Sequence, residues 1–183
     1  MNELGEAFYA LSPSGQKLAV KGIHELMNWQ REDGTLYAPV PAGNWDKELP
    51  LQMLASIGWY GFYTQYYYSA DSSFVPVIYD RMRRYLHEVW QVDKSGLVIE
   101  RQGAWSWGDW GEHVDMGVLT NCWYYLALKA ERAFALQLGK DKDADEISRM
   151  MRSIERCFDT KFWTGSAYRS PVSYTHLTLP TTP

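Results

Sequence analysis

The sequence predicts an all-α fold assembled from successive helical hairpins. Apolar residues recur at helical spacing in about six separate runs. Short turns alternate with long aperiodic segments between those runs, and no strand-like alternation competes. No short self-similar period marks a solenoid. At 183 residues the chain has the length of one ordinary domain with a sizeable core.

Leu4 to Leu11 reads as the end of a short helix that Ser12-Pro13 stops. Ser14 is placed to cap the next, where Leu18, Ile23, Leu26 and Met27 recur up to Trp29. Gln30 to Trp45 loses the period and contains Gly34, Pro39, Pro41 and Gly43, so it is a long loop of the kind that tends to carry function. Glu48 to Tyr68 returns to a helix, with Leu51, Leu54, Ala55, Trp59, Phe62, Tyr63, Tyr66 and Tyr67 on a broad face. Its aromatic rings cover the whole circumference, so most are expected between helices rather than on a sugar platform. Gly58 and Gly61 interrupt this helix at about 1 kcal/mol each relative to alanine, which points to close approach of a neighbouring helix or a ligand.

Asp71 opens the following turn, and Val77, Ile78, Met82, Tyr85, Leu86 and Val89 mark a helix from about Phe74 to Trp90. Asp93 to Gly96 is a turn and Leu97 to Arg101 a brief extended piece. Met116 to Leu138 has the clearest helical period, carried by Leu119, Cys122, Trp123, Leu126, Ala127, Ala130 and Phe134, and Gly139 ends it. Asp141 or Asp143 starts the last helix, with Ala144, Ile147, Met150, Met151, Ile154, Cys157 and Phe158, and helical character stops near Trp163.

A formal charge of −4 and a pI near 5.6 argue against nucleic acid or an anionic membrane as the main partner. No apolar run approaches the roughly 18 residues needed for membrane insertion. Cys122 and Cys157 lie within apolar helix patterns and are expected as buried free thiols. Val172 to Pro183, VSYTHLTLPTTP, has no helical period and resembles the translation of a sequencing-library adapter beginning within Pro171. The fold is therefore expected in residues 1–170, with 171–183 as a non-native tail; a natural flexible terminus is the alternative. The start Met1-Asn2-Glu3 lacks the basic, then apolar, pattern of a signal peptide, and the compartment stays open.

The chemistry concentrates in Gly103 to Tyr125, GAWSWGDWGEHVDMGVLTNCWYY. Trp105, Trp107 and Trp110 alternate with Asp109, Glu112 and Asp115 in a glycine-rich stretch just before the longest helix. A flat indole covers the apolar C–H face of a pyranose while carboxylates bind hydroxyls or move protons, so the segment suits a sugar site. A buried loop with core indoles and helix-capping acids is the competing reading. Trp107 and Trp110 are the stacking candidates and Trp105 a core residue. Asp109 and Glu112 are the local acid–base candidates; at helical i, i+3 spacing they would stand about 5–6 Å apart at Cβ. Asp109 also suits a hydroxyl-binding role, and Asp115 is placed as the N-cap of the helix at Met116. Asn44-Trp45-Asp46-Lys47-Glu48 repeats the pattern, with Trp45 as a further wall and Asp46 on a hydroxyl. Alternatively Asp46 caps the helix near Glu48, which then sits solvated in the first turn. His113 has no second histidine at ligand spacing, His24 and His87 are isolated, and His176 lies in the tail, so no metal and no cofactor are expected.

Four blocks, PVPAGNWDKELPLQMLASIGWYGFY (39–63), GAWSWGDWGE (103–112), LTNCWYYLALK (119–129) and FDTKFWTG (158–165), occur in order. In these the chain resembles the catalytic domain of the bacterial α-L-rhamnosidases of glycoside hydrolase family 78. The resemblance implies an (α/α)6 toroid, six helical hairpins around a central pocket, of which these helices form about half. An open half ring would leave apolar helix faces bare, so the chain alone is expected to fold poorly, aggregate or lack activity. The implied activity is inverting hydrolysis of a terminal α-L-rhamnosyl bond in a rhamnose-containing oligosaccharide or glycoside. One carboxylic acid protonates the leaving oxygen while another carboxylate, typically about 6.5–9.5 Å away, activates water on the opposite face. The family's Asp-Cys-Pro-x-Arg-(Asp)-Glu-Arg-x-Gly-Trp-x-Gly-Asp type motif has no counterpart here. The resemblance places the presumed acid upstream of Met1 and the presumed base beyond Ser170, which leaves this chain the sugar-binding middle. Family members act in the periplasm, outside the cell or in the cytoplasm. Two other functions fit the residues: a toroid glycosidase for another sugar, or a noncatalytic carbohydrate-binding or scaffold domain. One methyl group, worth about 1–3 kcal/mol, separates a deoxysugar pocket from its relatives.

Overall fold

The structure, a computed structural model, describes residues 14–38, 40, 47–101, 103 and 114–169. The short helix expected over Leu4 to Leu11 and the tail 171–183 lie outside these residues. Among the described residues the order is α1 (Gly15–Asn28), α2 (Pro50–Ile57), a π-helical turn (Trp59–Tyr63), α3 (Thr64–Ser69), α4 (Val75–Arg84), a second π-helical turn (Tyr85–Val89), α5 (Met116–Gln137) and α6 (Asp141–Phe162). Extended pairing among them is limited to the isolated bridges Val92–Val98 and Trp163–Tyr168. The all-α expectation therefore holds, and the helical hairpins have the character of a partial toroid.

Local chemistry sets the helix ends. The second helix begins at Pro50 rather than Glu48, because proline fits the first turn, where its missing N–H is not needed. Asp71 Oδ1 accepts from the Ser73 N–H at 2.9 Å and shapes the turn before α4. Asp115 caps α5 as expected, accepting from the Val118 N–H at 3.1 Å. The other end of α5 closes in a Schellman arrangement. Gly139 takes a φ of 68°, its N–H bonds Leu136 O at 3.1 Å, and the Lys140 N–H bonds Ala135 O at 2.9 Å. Ser14 precedes α1 without a side-chain capping bond, and its carbonyl accepts from the Lys17 N–H at 3.1 Å.

Helix α5 is the centre of the packing. The rod from α2 through α3 runs parallel to it: Tyr60 meets Trp123, and farther along Tyr63 and Tyr66 meet Phe134. The approach is tight at Gly58, where an added Cβ would lie 3.2 Å from Ala127 Cα and 2.7 Å from Leu54 O. The close approach of a neighbouring helix expected from Gly58 is thus present. There the chain turns extended, and the Tyr63 N–H returns to Gly58 O at 3.3 Å to form the π-helical turn. Helix α4 runs antiparallel to α5, with Phe74 against Phe134 and the Tyr124 hydroxyl donating to Leu86 O at 2.9 Å. Helix α6 is also antiparallel, tied by Arg132 Nε to Ser148 Oγ (2.7 Å) and by the Tyr125 hydroxyl to Glu155 Oε1 (2.5 Å). Helix α1 packs on α3 and α4. Leu54, Ile57, Ile78, Met82, Leu86, Ala127 and Leu128 fill the space between them with no exposed surface.

One polar cluster interrupts this core. Glu131 on α5 is fully buried; His87 Nε2 stands 2.9 Å from each of its carboxylate oxygens, and Arg83 Nη1 lies 3.4 Å away. Arg83 also pairs with Glu146 on α6. His87, isolated in the sequence, is therefore held by partners on α4 and α5. Tyr79 beside them donates to Asp143 Oδ2 at 3.0 Å, and burial pushes its pKa well up.

One expectation holds for most rings but not all, and another needs correction. Tyr60, Tyr67 and Tyr68 are 52%, 70% and 57% exposed, whereas Phe62 is buried and Trp59, Tyr63 and Tyr66 are half-buried. The π-helical turn shifts the angular register, so the rings do not all stay under neighbouring helices. Cys122 and Cys157 are free, but Cys122 is exposed and Cys157 only half-buried, because both lie toward the outer edge of the α5–α6 seam.

Removing one member of a buried charge cluster strands the others. Glu131→Ala should lower stability by about 3–5 kcal/mol, measured by urea unfolding. A loss below about 1 kcal/mol would show that the cluster contributes little.

Candidate functional site

Because α2 and α5 run parallel, both begin at the same end, and the antiparallel α4 and α6 finish there. The connection before α2, the connection before α5 and the chain after α6 therefore arrive together. The first connection is tied to the end of α4: Gln30 Nε2 donates to Arg81 O at 3.0 Å, and Arg81 Nη1 to Met27 O at 2.9 Å. It then buries Leu36 and Ala38. The Ala38 N–H donates to Lys47 O at 2.9 Å, so the chain departs and returns at one point. Trp45 and Asp46 belong to the intervening stretch and lie outside the described residues.

The second connection starts with the expected turn. Asp93 Oδ1 accepts from the Ser95 N–H at 2.8 Å and the Leu97 N–H at 3.1 Å, and the Asp93 N–H bonds Leu97 O at 2.8 Å. The Ser95 hydroxyl, first among these donors, holds the Asp93 carboxyl down at about 2. Val98 is then clasped by the buried Asn121 of α5, whose Oδ1 accepts its N–H at 2.8 Å and whose Nδ2 donates to its carbonyl at 3.2 Å. Three residues later Arg101 makes a two-pronged contact with Glu48, Nη1 to Oε1 at 2.5 Å and Nη2 to Oε2 at 3.0 Å. The Tyr85 hydroxyl donates to the same Oε1 at 3.3 Å, and the Trp90 ring lies 5.3 Å from the guanidinium. Burial would lower the Arg101 pKa, but the bonds to Glu48 outweigh it and raise the pKa overall. Gly103 then packs so closely on Pro50 that any Cβ would collide with its ring and stand 3.0 Å from Glu48 O.

Trp105, Trp107, Asp109, Trp110, Glu112 and His113 follow and lie outside the described residues. The chain is next described at Val114 and Asp115. Besides its cap bond, Asp115 Oδ2 accepts from Arg169 Nε at 2.8 Å. Burial alone would raise the Asp115 pKa; the Arg169 contact and the Val118 N–H outweigh it, leaving a net downward shift. Lys161 Nζ reaches Asp93 Oδ2 at 3.3 Å, a second tie from the end of α6. Between these groups opens a polar cleft of about 560 Å³, walled by Asp93, Glu100, Asp115, Asn121, Lys161 and Arg169. Among the described residues no group of three or more His, Cys, Asp or Glu side chains could hold a metal ion, and no helix is long and apolar enough to cross a membrane.

The competing view of Glu48, a solvated acid in a first helical turn, is overturned: its side chain is 12% exposed and bridged to Arg101. Arg101, Asn121, Arg169 and Asp93 were not singled out in the sequence as site-building residues. Their available signal was position alone, directly beside the tryptophan-acid segment or at the ends of the helices that carry it.

The low Asp93 pKa means the folded state favours its ionised form. Its contribution is present above the ordinary 3.8 and is lost as pH falls through about 2. Asp93→Asn, which keeps the Oδ1 acceptor, should therefore flatten the acid limb of a melting-temperature profile between about pH 4 and 2. An unchanged acid limb would remove Asp93 from that role.

Comparison with protein families matches residues 11–182 to the bacterial α-L-rhamnosidase six-hairpin glycosidase domain. No curated protein and no solved structure matches the chain. The family match takes in α1 to α6, both connections and the tryptophan-acid segment. It accords with the all-helical packing and with the gathering of connections at one end. The chain belongs to the bacterial α-L-rhamnosidase six-hairpin glycosidase family.

Proposed function

We propose that this glycosidase domain acts on terminal α-L-rhamnosyl groups of oligosaccharides or glycosides, within an inverting hydrolysis, and that this chain supplies the walls that hold the sugar. The observation that carries the reading is the shared rooting of its two chemistry-bearing segments. Residues 38 and 47 are hydrogen-bonded to each other, Glu48 is bridged to Arg101, Gly103 lies on Pro50, and Asp115 caps α5. The segments rooted there carry Trp45 and Asp46 on one side and Trp107, Asp109, Trp110 and Glu112 on the other.

The assigned roles follow from residue chemistry. Trp45, Trp107 and Trp110 offer flat apolar faces to the C–H surface of a pyranose and to the methyl group of a deoxysugar. Asp46 and Asp109 accept bonds from sugar hydroxyls. Asp109 and Glu112 are the carboxylates this segment itself offers for proton transfer, as an alternative to the acid and base that the family resemblance sets outside it: an acid to protonate the departing glycosidic oxygen, a base to take a proton from attacking water.

Titration of the 183-residue chain with L-rhamnose, followed by tryptophan fluorescence, tests the binding role. Trp110→Ala should weaken binding about tenfold, about 1.4 kcal/mol. Unchanged affinity would remove Trp110 from the site. Incubation with an aryl α-L-rhamnoside under proton NMR tests the reaction: the β-anomer of rhamnose appearing first supports inversion, the α-anomer appearing first rules it out, and no product leaves this chain the sugar-holding role alone.

A further inference from the structure

We infer that Arg101 and Glu48 form a positioning pair that sets the spacing between the roots of the two sugar-wall segments, an inference that rests on the sugar-site reading above. The pair joins residues 53 apart in the sequence, and each partner directly borders one segment. Arg101 precedes Gly103 and the tryptophan-acid stretch; Glu48 follows Lys47, whose carbonyl closes the Trp45-Asp46 stretch on Ala38.

Three features separate this pair from an ordinary surface ion bridge. Its side chains are 20% and 12% exposed, so water screens it little. The contact is two-pronged, and the planar guanidinium fixes direction as well as distance. Both partners are also held from behind. The buried Tyr85 donates to Glu48, and the buried Trp90 stands against Arg101. Tyr85 and Trp90 end the helical rod that begins with α4, so the pair refers both segments to one rigid element. The Gly103–Pro50 contact lies immediately beside it and requires the same separation.

Lysine at 101 would keep the charge and lose the fork. Arg101→Lys and Glu48→Gln should therefore loosen both segment roots while leaving the helix core intact. Hydrogen exchange of the full chain measures this without any ligand. Amides of residues 47–49 and 101–103 should exchange about tenfold faster in either variant, with α5 and α6 unchanged. The Kd for L-rhamnose should rise about tenfold with little change in melting temperature. In Arg101→Lys/Glu48→Gln the effects should not add, because both changes break one contact.

Unchanged exchange at the two roots would overturn the inference. Faster exchange spread evenly over α5 and α6 would also overturn it, leaving the pair a general stabiliser. If the unaltered chain fails to bind L-rhamnose, the sugar reading fails with it, and the exchange pattern still decides whether the pair holds the two roots together.

Discussion

The close contact between Gly58 and the backbone of Ala127 is the constraint on which the arrangement depends. With no side chain at position 58, the rod from α2 to α3 reaches the helix surface of α5. Any Cβ there would press on backbone rather than on a flexible side chain, and overpacking of that kind typically costs about 1–3 kcal/mol. Two parallel helices held this closely must present their first turns at one end, and their antiparallel neighbours must finish at that end. Convergence of the connections is thus a consequence of helix direction, set by packing far from the connections themselves. The chain is extended at Gly58 and the π-helical turn that follows closes back on its carbonyl, so the close approach and the change of register meet at one residue.

At the converging end the charges work in pairs, and burial ranks them. Glu48 and Arg101 are both largely screened from water, so their contact specifies a geometry. Asp115 is nearly buried while its partner Arg169 is half-exposed; the carboxylate does more as the helix cap than as an ion-pair member. Asp93 and Lys161 are both substantially exposed, and such bridges contribute about 0–1 kcal/mol. The shape of that turn comes instead from the bonds Asp93 accepts from Ser95 and Leu97. The same comparison explains why Glu131 needs both His87 and Arg83: a carboxylate with no exposed surface must have its lone pairs satisfied by the protein.

Helices, their order and several of their ends were legible in the sequence because they rest on local chemistry. The 3.6-residue period marked α5, Asp115 stood one residue before it, and Gly139 stood where a left-handed residue closes it. The Asp93–Gly96 turn was legible for the same reason. What escaped were effects of distant partners. Nothing near Glu48 announces Arg101, and nothing near His87 announces Glu131, since each pairing exists only after helices pack. The exposure of Tyr60, Tyr67 and Tyr68 escaped for a subtler reason: a regular helical wheel assumes 3.6 residues per turn, and the π-helical turn at Trp59–Tyr63 breaks that count within the run. Cys122 followed an apolar pattern yet faces outward, because a strongly apolar helix still has an edge where its neighbour ends. Of the candidate site, the residues proposed for the sugar were chosen from composition and spacing, whereas the side chains that root their segments had no such signal.

This division has a physical meaning for the site. The roots of the two segments are over-determined: a backbone bond from Ala38 to Lys47, a two-pronged ion pair, a glycine against a proline ring, an amide clasp at Val98 and a helix cap. Each restricts the path of the chain without prescribing what lies between. A sugar site needs this separation, since its stacking faces and hydroxyl acceptors must be placed accurately yet remain open to the ligand. Rigid helices with fastened connections supply fixed anchor points for such a site.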